Sequence, residues 1–189
     1  ARAALEAGAE VTLVSGMVSL TAPARVKLIS VTSAQEMFAA VRQAAGDADI
    51  FISVAAVADY HVVNPSKQKI KKSGQTLNLQ LAPNPDILEY VASLPDGPFC
   101  VGFAAESENF YQHAEQKRRD KKIPLLAANL VQNALGKDES ELVLFDDSGV
   151  HPLPRAPKTT LARQLIRHIA ELYAKSRTVA QFKKNQAGK

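Results

Sequence analysis

Residues 2–15 read RAALEAGAEVTLVS, and this stretch decides the class of fold. Arg2–Ala7 is typical of the end of a helix, and Gly8 supplies the break that stops it. Glu10–Ser15 is a short apolar run with β-branched residues, which predicts a strand. A helix that leads through a glycine turn into a strand is the second half of a β-α-β unit. We therefore expect a parallel sheet whose first strand, together with the loop after it, is missing from this sequence.

The same alternation of strands and helices continues along the chain. Asp49–Val54 (DIFISV) is almost wholly apolar, as expected for a parallel strand buried on both faces. The other predicted strands are Val26–Val31, Thr76–Leu81, Phe99–Ala104, Leu125–Ala128 and a hairpin of Glu141–Phe145 with Val150–Leu153. The predicted helices are Ser33–Gly46, Asn84–Leu94, Ser107–Lys122 and Thr159–Lys175. This order predicts an α/β fold with a Rossmann-like, doubly wound, mainly parallel sheet and helices on both faces.

The length of 189 residues fits one domain. We assign residues 1–176 to it and residues 177–189 to a basic, frayed C-terminal tail, because no core pattern follows Arg177. The single cysteine excludes a disulfide framework and a Cys-rich metal site. The sequence contains neither an apolar run of membrane-spanning length nor a secretory signal. We therefore expect a cytoplasmic protein with no membrane partner.

The formal net charge of +4 raises the question of a nucleic-acid partner. Residues 155–189 contain nine basic residues and a single acid, Glu171. This surplus is larger than the net charge of the whole chain, so the rest of the chain is net negative. A nucleic-acid surface would interleave basic and aromatic residues. Only 6% of the residues are aromatic and there is no tryptophan, so we expect no nucleic acid as partner.

Ligands of open parallel sheets bind where the strands end at their carboxyl termini. Three predicted strands end in small residues there, after Ser53, at Gly102–Glu106 and after Ala128. Small residues let a ligand approach backbone N–H groups closely. Asp59 follows the first of these loops, and its carboxylate suits a ribose hydroxyl or a ligand amine. From spacing alone, a turn or cap role explains Asp59 somewhat better.

Lys69-Ile70-Lys71-Lys72 is one of two basic clusters in the body of the chain. In an extended segment Lys69 and Lys71 share a face, and point charges on one face suit a polyphosphate. An exposed edge strand protected by its lysines explains the same pattern, and the pattern alone favours that explanation.

The second basic cluster lies at the end of the predicted helix Ser107–Lys122. His113, Lys117 and Lys121 fall on one stripe of that helix. Cations in the last turns of a helix complement its dipole. This effect is enough to explain the cluster unless the stripe faces a ligand. Arg118, Arg119 and Lys122 are interpreted as a solvated helix end.

Asn84-Pro85-Asp86-Ile87 starts a helix, with Asn84 as the N-cap and Pro85 in the first turn. Capping alone explains the motif, and the functional alternative is that free N–H groups meet an anion or a base edge. Cys100 lies in an apolar run and is interpreted as a core residue. The sequence contains no P-loop, no G-x-G-x-x-G motif and no metal-ligand spacing of histidines.

Six motifs in this order resemble bacterial phosphopantothenoylcysteine synthetase, the synthetase half of a bifunctional coenzyme A biosynthesis protein. The resemblance extends from about Ala4 to Tyr173. The motifs are GAEVTLVSG at 8–16, AAVADY at 55–60, KIKK at 69–72, NPDI at 84–87, VGFAAES at 101–107 and QKRRDKK at 116–122.

The resemblance implies a CTP-dependent ligase, a phosphopantothenate–cysteine ligase. The carboxylate of 4′-phosphopantothenate attacks the α-phosphate of CTP, which gives an acyl-cytidylate and pyrophosphate. The amine of L-cysteine then displaces CMP. Mg²⁺ accompanies the triphosphate, although no protein ligand for it can be assigned, and no FMN is expected because the decarboxylase half is absent.

The resemblance also implies which residues form the site. Lys69 is expected to convert the acyl-cytidylate and is the catalytic residue. The implied CTP-binding positions are Ser53, Val54, Ala55, Asp59, Lys69, Asn84, Pro85, Asp86, Ile87, Phe103, Lys117 and Lys121. A family asparagine used in the first step belongs to the missing N-terminal strand and loop. We therefore expect the specificity of the synthetase, but not full activity, from these residues by themselves.

The resemblance further implies a homodimer, with a higher assembly where the decarboxylase is fused. The segment after AAVADY would form an extended ribbon for dimerisation, with Thr76–Leu81 covered by the second subunit. The stretch Lys72–Gln75 is a candidate for a mobile flap. Two other functions stay open. One is an NAD(P)-binding Rossmann-like reductase fragment, against which the missing Tyr-x-x-x-Lys pair counts, and the other is a nucleic-acid-binding module.

Overall fold

The computed structural model describes residues 1–66, 68–72, 74, 76–106, 109–130 and 138–187, with side chains up to residue 179. Five helices and nine strands lie in these ranges, together with a short 3-10 helix at Ala45–Asp47. The helices are α1 (Arg2–Glu6), α2 (Ala34–Ala44), α3 (Ile87–Ala92), α4 (Phe110–Asp120) and α5 (Lys158–Ala187). The strands are β1 (Thr12–Ser15), β2 (Lys27–Ser30), β3 (Ile50–Ser53), β4 (Tyr60–Val62), β5 (Leu81–Pro83), β6 (Phe99–Glu106), β7 (Leu125–Leu130), β8 (Glu139–Asp146) and β9 (Gly149–Pro157).

The main sheet has five strands in the order β3-β6-β7-β8-β9. β3, β6 and β7 are parallel, whereas β8 and β9 form an antiparallel hairpin added to the β7 edge. β1 and β2 pair in parallel as a separate two-stranded sheet. Among the described residues no hydrogen-bonded pairing joins β1 to β3. The mixed α/β fold with a parallel-rich sheet is thus confirmed, while the doubly wound arrangement stays a prediction.

Helices cover both faces of the main sheet, because neighbouring strand residues point into two different cores. Cys100, Leu126 and Ala128 face a core formed with α2, α3 and α4. Val101 and Leu125 face a second core, to which α5 contributes Leu165 and Ile169. The alternation follows the two-residue period of a strand. β6 and β7 are therefore apolar on both sides, as the continuous runs in the sequence predicted.

Local signals fixed several element boundaries correctly. Gly8 adopts a φ of +88°, the left-handed conformation that lets the chain turn from α1 into β1. The Ser33 hydroxyl accepts a hydrogen bond from the N–H of Glu36, as expected of an N-cap. The Glu36 carboxylate accepts from the N–H and hydroxyl of Thr32, and these bonds, with a smaller contribution from the N–H of Ser33, lower its pKa.

Two predicted elements differ from the structure between β4 and α3. The predicted strand Thr76–Leu81 is wrong, since only Leu81–Pro83 finds a partner, in the short antiparallel strand β4. The predicted helix start at Asn84 is also wrong, because α3 begins at Ile87 and Asp86 is its N-cap. An alternating pattern forms a strand only where another strand supplies hydrogen bonds.

The C-terminal helix is longer than expected. α5 continues to Ala187, so residues 177–187 are helical and not frayed. Its residues after Arg177 have no apolar stripe, and a 30-residue helix can extend beyond the core that holds its first half. The division into residues 1–176 and 177–189 stays a prediction. Within the part of the chain that the structure describes, no helix meets the length and hydropathy needed to cross a bilayer.

Candidate functional site

The parallel strands β3, β6 and β7 have their carboxyl ends on the same side of the sheet, and the sequence predicted the site there. Ser53, the last residue of β3, pairs with Gly102, and β6 continues past this position to Glu106. Val54 and Ala55 follow and are exposed. Their backbone is thus accessible next to the protruding end of β6. Residues 107–108 and 131–137, which follow β6 and β7, lie outside the described residues.

Asn84 holds the loop that carries Asp59. Its side-chain amide donates to the carbonyl of Ala58 (Nδ2 to O, 2.8 Å), and its backbone N–H donates to the carbonyl of Asp59 (2.8 Å). The amide oxygen of Asn84 accepts from Nε2 of Gln35 at 2.9 Å. The predicted N-cap is therefore a link between three segments, and it leaves the Asp59 carboxylate exposed at the sheet edge. No motif in the sequence pointed to Gln35.

Asp86 and Lys121, predicted separately, meet at the start of α3. Nζ of Lys121 lies 2.7 Å from Oδ2 of Asp86 and 2.7 Å from Oε2 of Glu89. Burial raises the pKa of Asp86, but hydrogen bonds from Lys121 and from the N–H of Glu89 outweigh it and leave the pKa below its ordinary value. The acid is thus ionised at neutral pH. Two of the three N–H donors of Lys121 are engaged, so an incoming anion would take the third donor or replace one of the carboxylates.

Lys117 lies one turn before Lys121 on α4 and is exposed, as is His113. The interpretation of Arg118 as part of a solvated helix end is wrong. Its side chain is 9% exposed, and its guanidinium contacts Glu115 at 2.9 Å and Asp147 at 2.8 Å. The hydrogen bonds that Arg118 donates to Glu115 raise the pKa of Arg118 against its burial, and the bond to Asp147 adds to the effect. Arg118 therefore ties α4 to the β8-β9 hairpin.

Two of the predicted positions are core residues. Ile87 is buried in the core under α2, α3 and α4. Phe103 packs into the second core, on the α5 side of the sheet. The side chains of Ile87 and Phe103 thus contribute to packing on the two faces of the sheet. Pro85 is exposed next to the Asn84 link.

Lys69 lies in the long connection between β4 and β5 and is exposed. Residues 69–72 form no strand. No sheet therefore holds Lys69 and Lys71 on the common face that the sequence pattern had suggested. The candidate flap Lys72–Gln75 includes residues 73 and 75, which lie outside the described residues. The connection also exposes Ile70, Leu77 and Leu79, each by 58–60%.

A cavity of about 730 Å³ lies apart from these residues. It is formed by α1, the carboxyl ends of β1 and β2, the segment after Ser15 and the start of α5. Met17, Val18 and Leu20 line it and are at least 66% exposed. None of the residues predicted for the site lines this cavity.

Comparisons with known proteins place the chain among relatives. A family model described as the DNA/pantothenate metabolism flavoprotein C-terminal domain matches residues 1–173. The coenzyme A biosynthesis bifunctional protein CoaBC of Haemophilus influenzae is 42% identical over 179 residues. The alignment covers 93% of this chain but 45% of that protein, so the chain spans less than half of this relative.

Two solved structures resemble the fold. The crystal structure of the C-terminal domain of CoaBC superposes with a TM-score of 0.75 at 31% identity, covering 91% of this chain and 79% of that one. A Cab2 mutant in complex with phosphopantothenate-cysteine has a TM-score of 0.67 at 15% identity, covering 83% of this chain and 56% of that one. At that identity the second likeness concerns the fold alone.

Proposed function

Because the chain belongs to the DNA/pantothenate metabolism flavoprotein C-terminal domain family, we propose that it is the part of a coenzyme A biosynthesis enzyme that joins L-cysteine to 4′-phosphopantothenate. The membership confirms the resemblance drawn from the six motifs. The match over residues 1–173 is the observation that carries the proposal. The name CoaBC, printed for the relative and for the similar C-terminal domain, supports the coenzyme A context. The Cab2 mutant, which shares the fold, is described in complex with phosphopantothenate-cysteine, and we propose the same kind of compound as the product here.

We propose that CTP activates the substrate carboxylate. A carboxylate oxygen of 4′-phosphopantothenate bonds to the α-phosphorus of CTP, and the bond to pyrophosphate breaks. The nitrogen of cysteine then bonds to the acyl carbon, CMP leaves with the electron pair of the broken C–O bond, and the ammonium proton is released. Such a reaction needs cations where negative charge builds up on phosphate and acyl oxygens. It also needs a site closed to water, because an acyl-cytidylate hydrolyses.

The nucleotide is proposed to bind along the β3-β6 edge. The backbone after Ser53 and the N–H groups at the start of α3 offer donors to phosphate or base oxygens. The exposed Asp59 carboxylate, held in place through Asn84, suits a ribose hydroxyl or a base amine. We propose these contacts because the hydrogen bonds of Asn84 hold the segment before α3 close to the loop that carries Asp59.

Lys69, Lys117 and Lys121 are proposed as the cations of the site. Lys121 would release Asp86 or Glu89 when the triphosphate arrives. At this edge the described His, Cys, Asp and Glu side chains form no group close enough to hold an ion together. Mg²⁺ is therefore proposed to arrive with the triphosphate, bound chiefly by phosphate oxygens.

The proposed homodimer is supported by exposed apolar side chains around the β4-β5 ribbon. Tyr60, Ile70, Leu77, Leu79 and Leu81 are each between 56% and 60% exposed. A concentration of large apolar side chains on one excursion of the chain is typical of a protein interface. The cytoplasmic location stays a prediction.

A thermal-shift comparison tests the nucleotide specificity with the chain itself. We expect CTP with Mg²⁺ to raise the melting temperature more than equal concentrations of ATP or NADPH do, because a ligand that binds only the folded state stabilises it. A rise with NADPH alone would favour the reductase alternative. A rise with ATP equal to that with CTP would contradict the choice of base.

Asn84→Asp is expected to weaken CTP binding about fivefold to tenfold, corresponding to roughly 1–1.4 kcal/mol. The substitution replaces the Nδ2 donor with an oxygen that faces the carbonyl of Ala58, which lies 2.8 Å from Nδ2. The loop that carries Asp59 loses its fixed position. Gln35→Ala serves as the control, since it removes only the outer contact with Asn84 and should change binding by less than about twofold. Equal effects of the two variants, measured by calorimetry, would contradict the positioning role.

A further inference from the structure

A buried carboxylate with two histidines lies at the end of the sheet where the parallel strands begin, opposite the proposed CTP site at their carboxyl ends. Asp146 is the last residue of β8, and its side chain is 1% exposed. β8 is antiparallel to β7, with Phe145 opposite Leu126. Asp146 therefore lies near the start of β7, whereas the proposed site is at the carboxyl ends of the parallel strands. Nothing in the proposed reaction uses this group.

The two histidines reach Asp146 from different elements. Nε2 of His168, on α5, lies 2.7 Å from Oδ2 of Asp146. Nε2 of His151, on β9, lies 3.2 Å from the same oxygen. The ligand atoms of the three residues all lie within 4.8 Å of one another. Two nitrogens and one oxygen thus converge on a single point, although the residues come from β8, β9 and α5.

Ser148 fixes the orientation of the carboxylate. Its backbone N–H donates to Oδ1 of Asp146 at 2.7 Å, and its hydroxyl donates to the same oxygen at 2.5 Å. Nε2 of His151 lies 3.2 Å from Oδ1 as well, and 3.2 Å from the Ser148 hydroxyl. Oδ1 is therefore shared by Ser148 and His151, whereas Oδ2 faces both imidazoles. A partner that holds the remote oxygen of a carboxylate ligand is a common feature of metal sites.

We propose that Asp146, His151 and His168 form a zinc site. Zn²⁺ binds imidazole nitrogen and carboxylate oxygen at about 2.0–2.2 Å in tetrahedral geometry, so neighbouring ligand atoms lie ~3.4 Å apart. The separations of 2.7 and 3.2 Å are somewhat shorter than this spacing, so the side chains would move slightly apart to admit the ion. The side chains of His151 and His168 are 35% and 21% exposed, so an ion and a water molecule as fourth ligand can enter.

The role of the ion follows from where its ligands come from. Bound Zn²⁺ cross-links the β8-β9 hairpin to α5, and these ligands come together only in the folded chain. The ion therefore stabilises the fold. Two imidazole ligands and a single carboxylate disfavour Mg²⁺ and Ca²⁺, which prefer oxygen ligands.

Calorimetric titration of the chelator-treated protein with ZnCl₂ tests the proposal. We expect one Zn²⁺ per chain and a melting temperature about 5–10 °C higher at a hundredfold excess over the Kd. His151→Ala and His168→Ala are each expected to weaken Zn²⁺ binding at least tenfold. Co²⁺ should give the visible absorption of a tetrahedral complex in the wild type but in neither of these two variants.

The chain provides matched controls, since it has four histidines and two of them lie outside the cluster. His61→Ala and His113→Ala should bind Zn²⁺ as the wild type does. MgCl₂ should leave the melting temperature unchanged. His151→Ala replaces the more exposed histidine of the cluster, so we expect this variant to melt normally without metal. A normal melting curve would show that the variant loses Zn²⁺ binding although it still folds. Absence of saturable Zn²⁺ binding, or binding that survives both cluster variants, would show that the three residues form an ordinary ion-pair network.

Discussion

Lys69→Gln is expected to lower the formation of phosphopantothenoylcysteine at least ~100-fold, while pyrophosphate is still released from CTP. The proposed second step would develop negative charge on the acyl oxygen and on the departing CMP. Removing a positioned cation or donor from such charge costs about 10²–10³ in rate. The first step takes place at the α-phosphate, where other proposed cations remain. The acyl-cytidylate should therefore accumulate.

The assay follows pyrophosphate, CMP and product separately. It uses the chain within a full-length protein of the relatives' kind, because these residues span less than half of such a protein. Lys72→Gln is the matched control, since Lys72 is also exposed in the same connection and is not among the residues proposed to contact CTP or the acyl-cytidylate. Normal product formation by Lys69→Gln would remove Lys69 from the mechanism. If Lys69→Gln still binds CTP as the wild type does, the proposal that the chain binds CTP stands even when the catalytic role of Lys69 is rejected.

Gly102→Val is expected to destabilise the fold by about 2–3 kcal/mol, the usual cost of overpacking a core. A Cβ at Gly102 would lie 2.7 Å from Cδ1 of Ile123 and 2.9 Å from atoms of both Leu126 and Leu88. Ile123 and Leu126 are at most 2% exposed, so their side chains cannot swing into solvent. For a chain of this size the melting temperature should fall by roughly 5–10 °C.

Gly46→Ala is the control for this substitution. A Cβ at Gly46 has no atom within 4 Å, so we expect the melting temperature to stay within about 2 °C of the wild type. Melting curves followed by circular dichroism compare the two variants. If Gly102→Val melts as the wild type does, the aliphatic side chains above Gly102 rearrange freely and the close packing is not what requires glycine there.

Gly102 also illustrates what the pattern could not reveal about the site. The small residues at Gly102–Glu106 predicted close approach of a ligand. In the structure the space above Gly102 is filled by side chains of the core under α3 and α4. A small residue in a strand indicates that something approaches closely, but the sequence does not distinguish a ligand from a packed side chain.

The cap of α3 shows a similar ambiguity. Asn84 and Asp86 are both good N-cap residues, and Pro85 suits the first turn after Asn84. Asp86 caps the helix because its carboxylate accepts from the N–H of Glu89 at 2.8 Å. Asn84 is engaged elsewhere, by Ala58 and Gln35, which lie 26 and 49 residues away in the chain. Local propensity could not choose between the two caps, because distant partners decided the choice.

The sequence by itself determined the α/β class, the order of the elements and most of the buried strands. These depend on the period of apolar residues and on caps and glycine turns, which act over a few neighbouring residues. The tertiary structure alone decided which polar side chains meet. Lys121 meets Asp86 across 35 residues, and His168 meets Asp146 across 22. Such contacts depend on how whole elements pack, and that packing is set by the two cores rather than by any motif around the polar residues themselves.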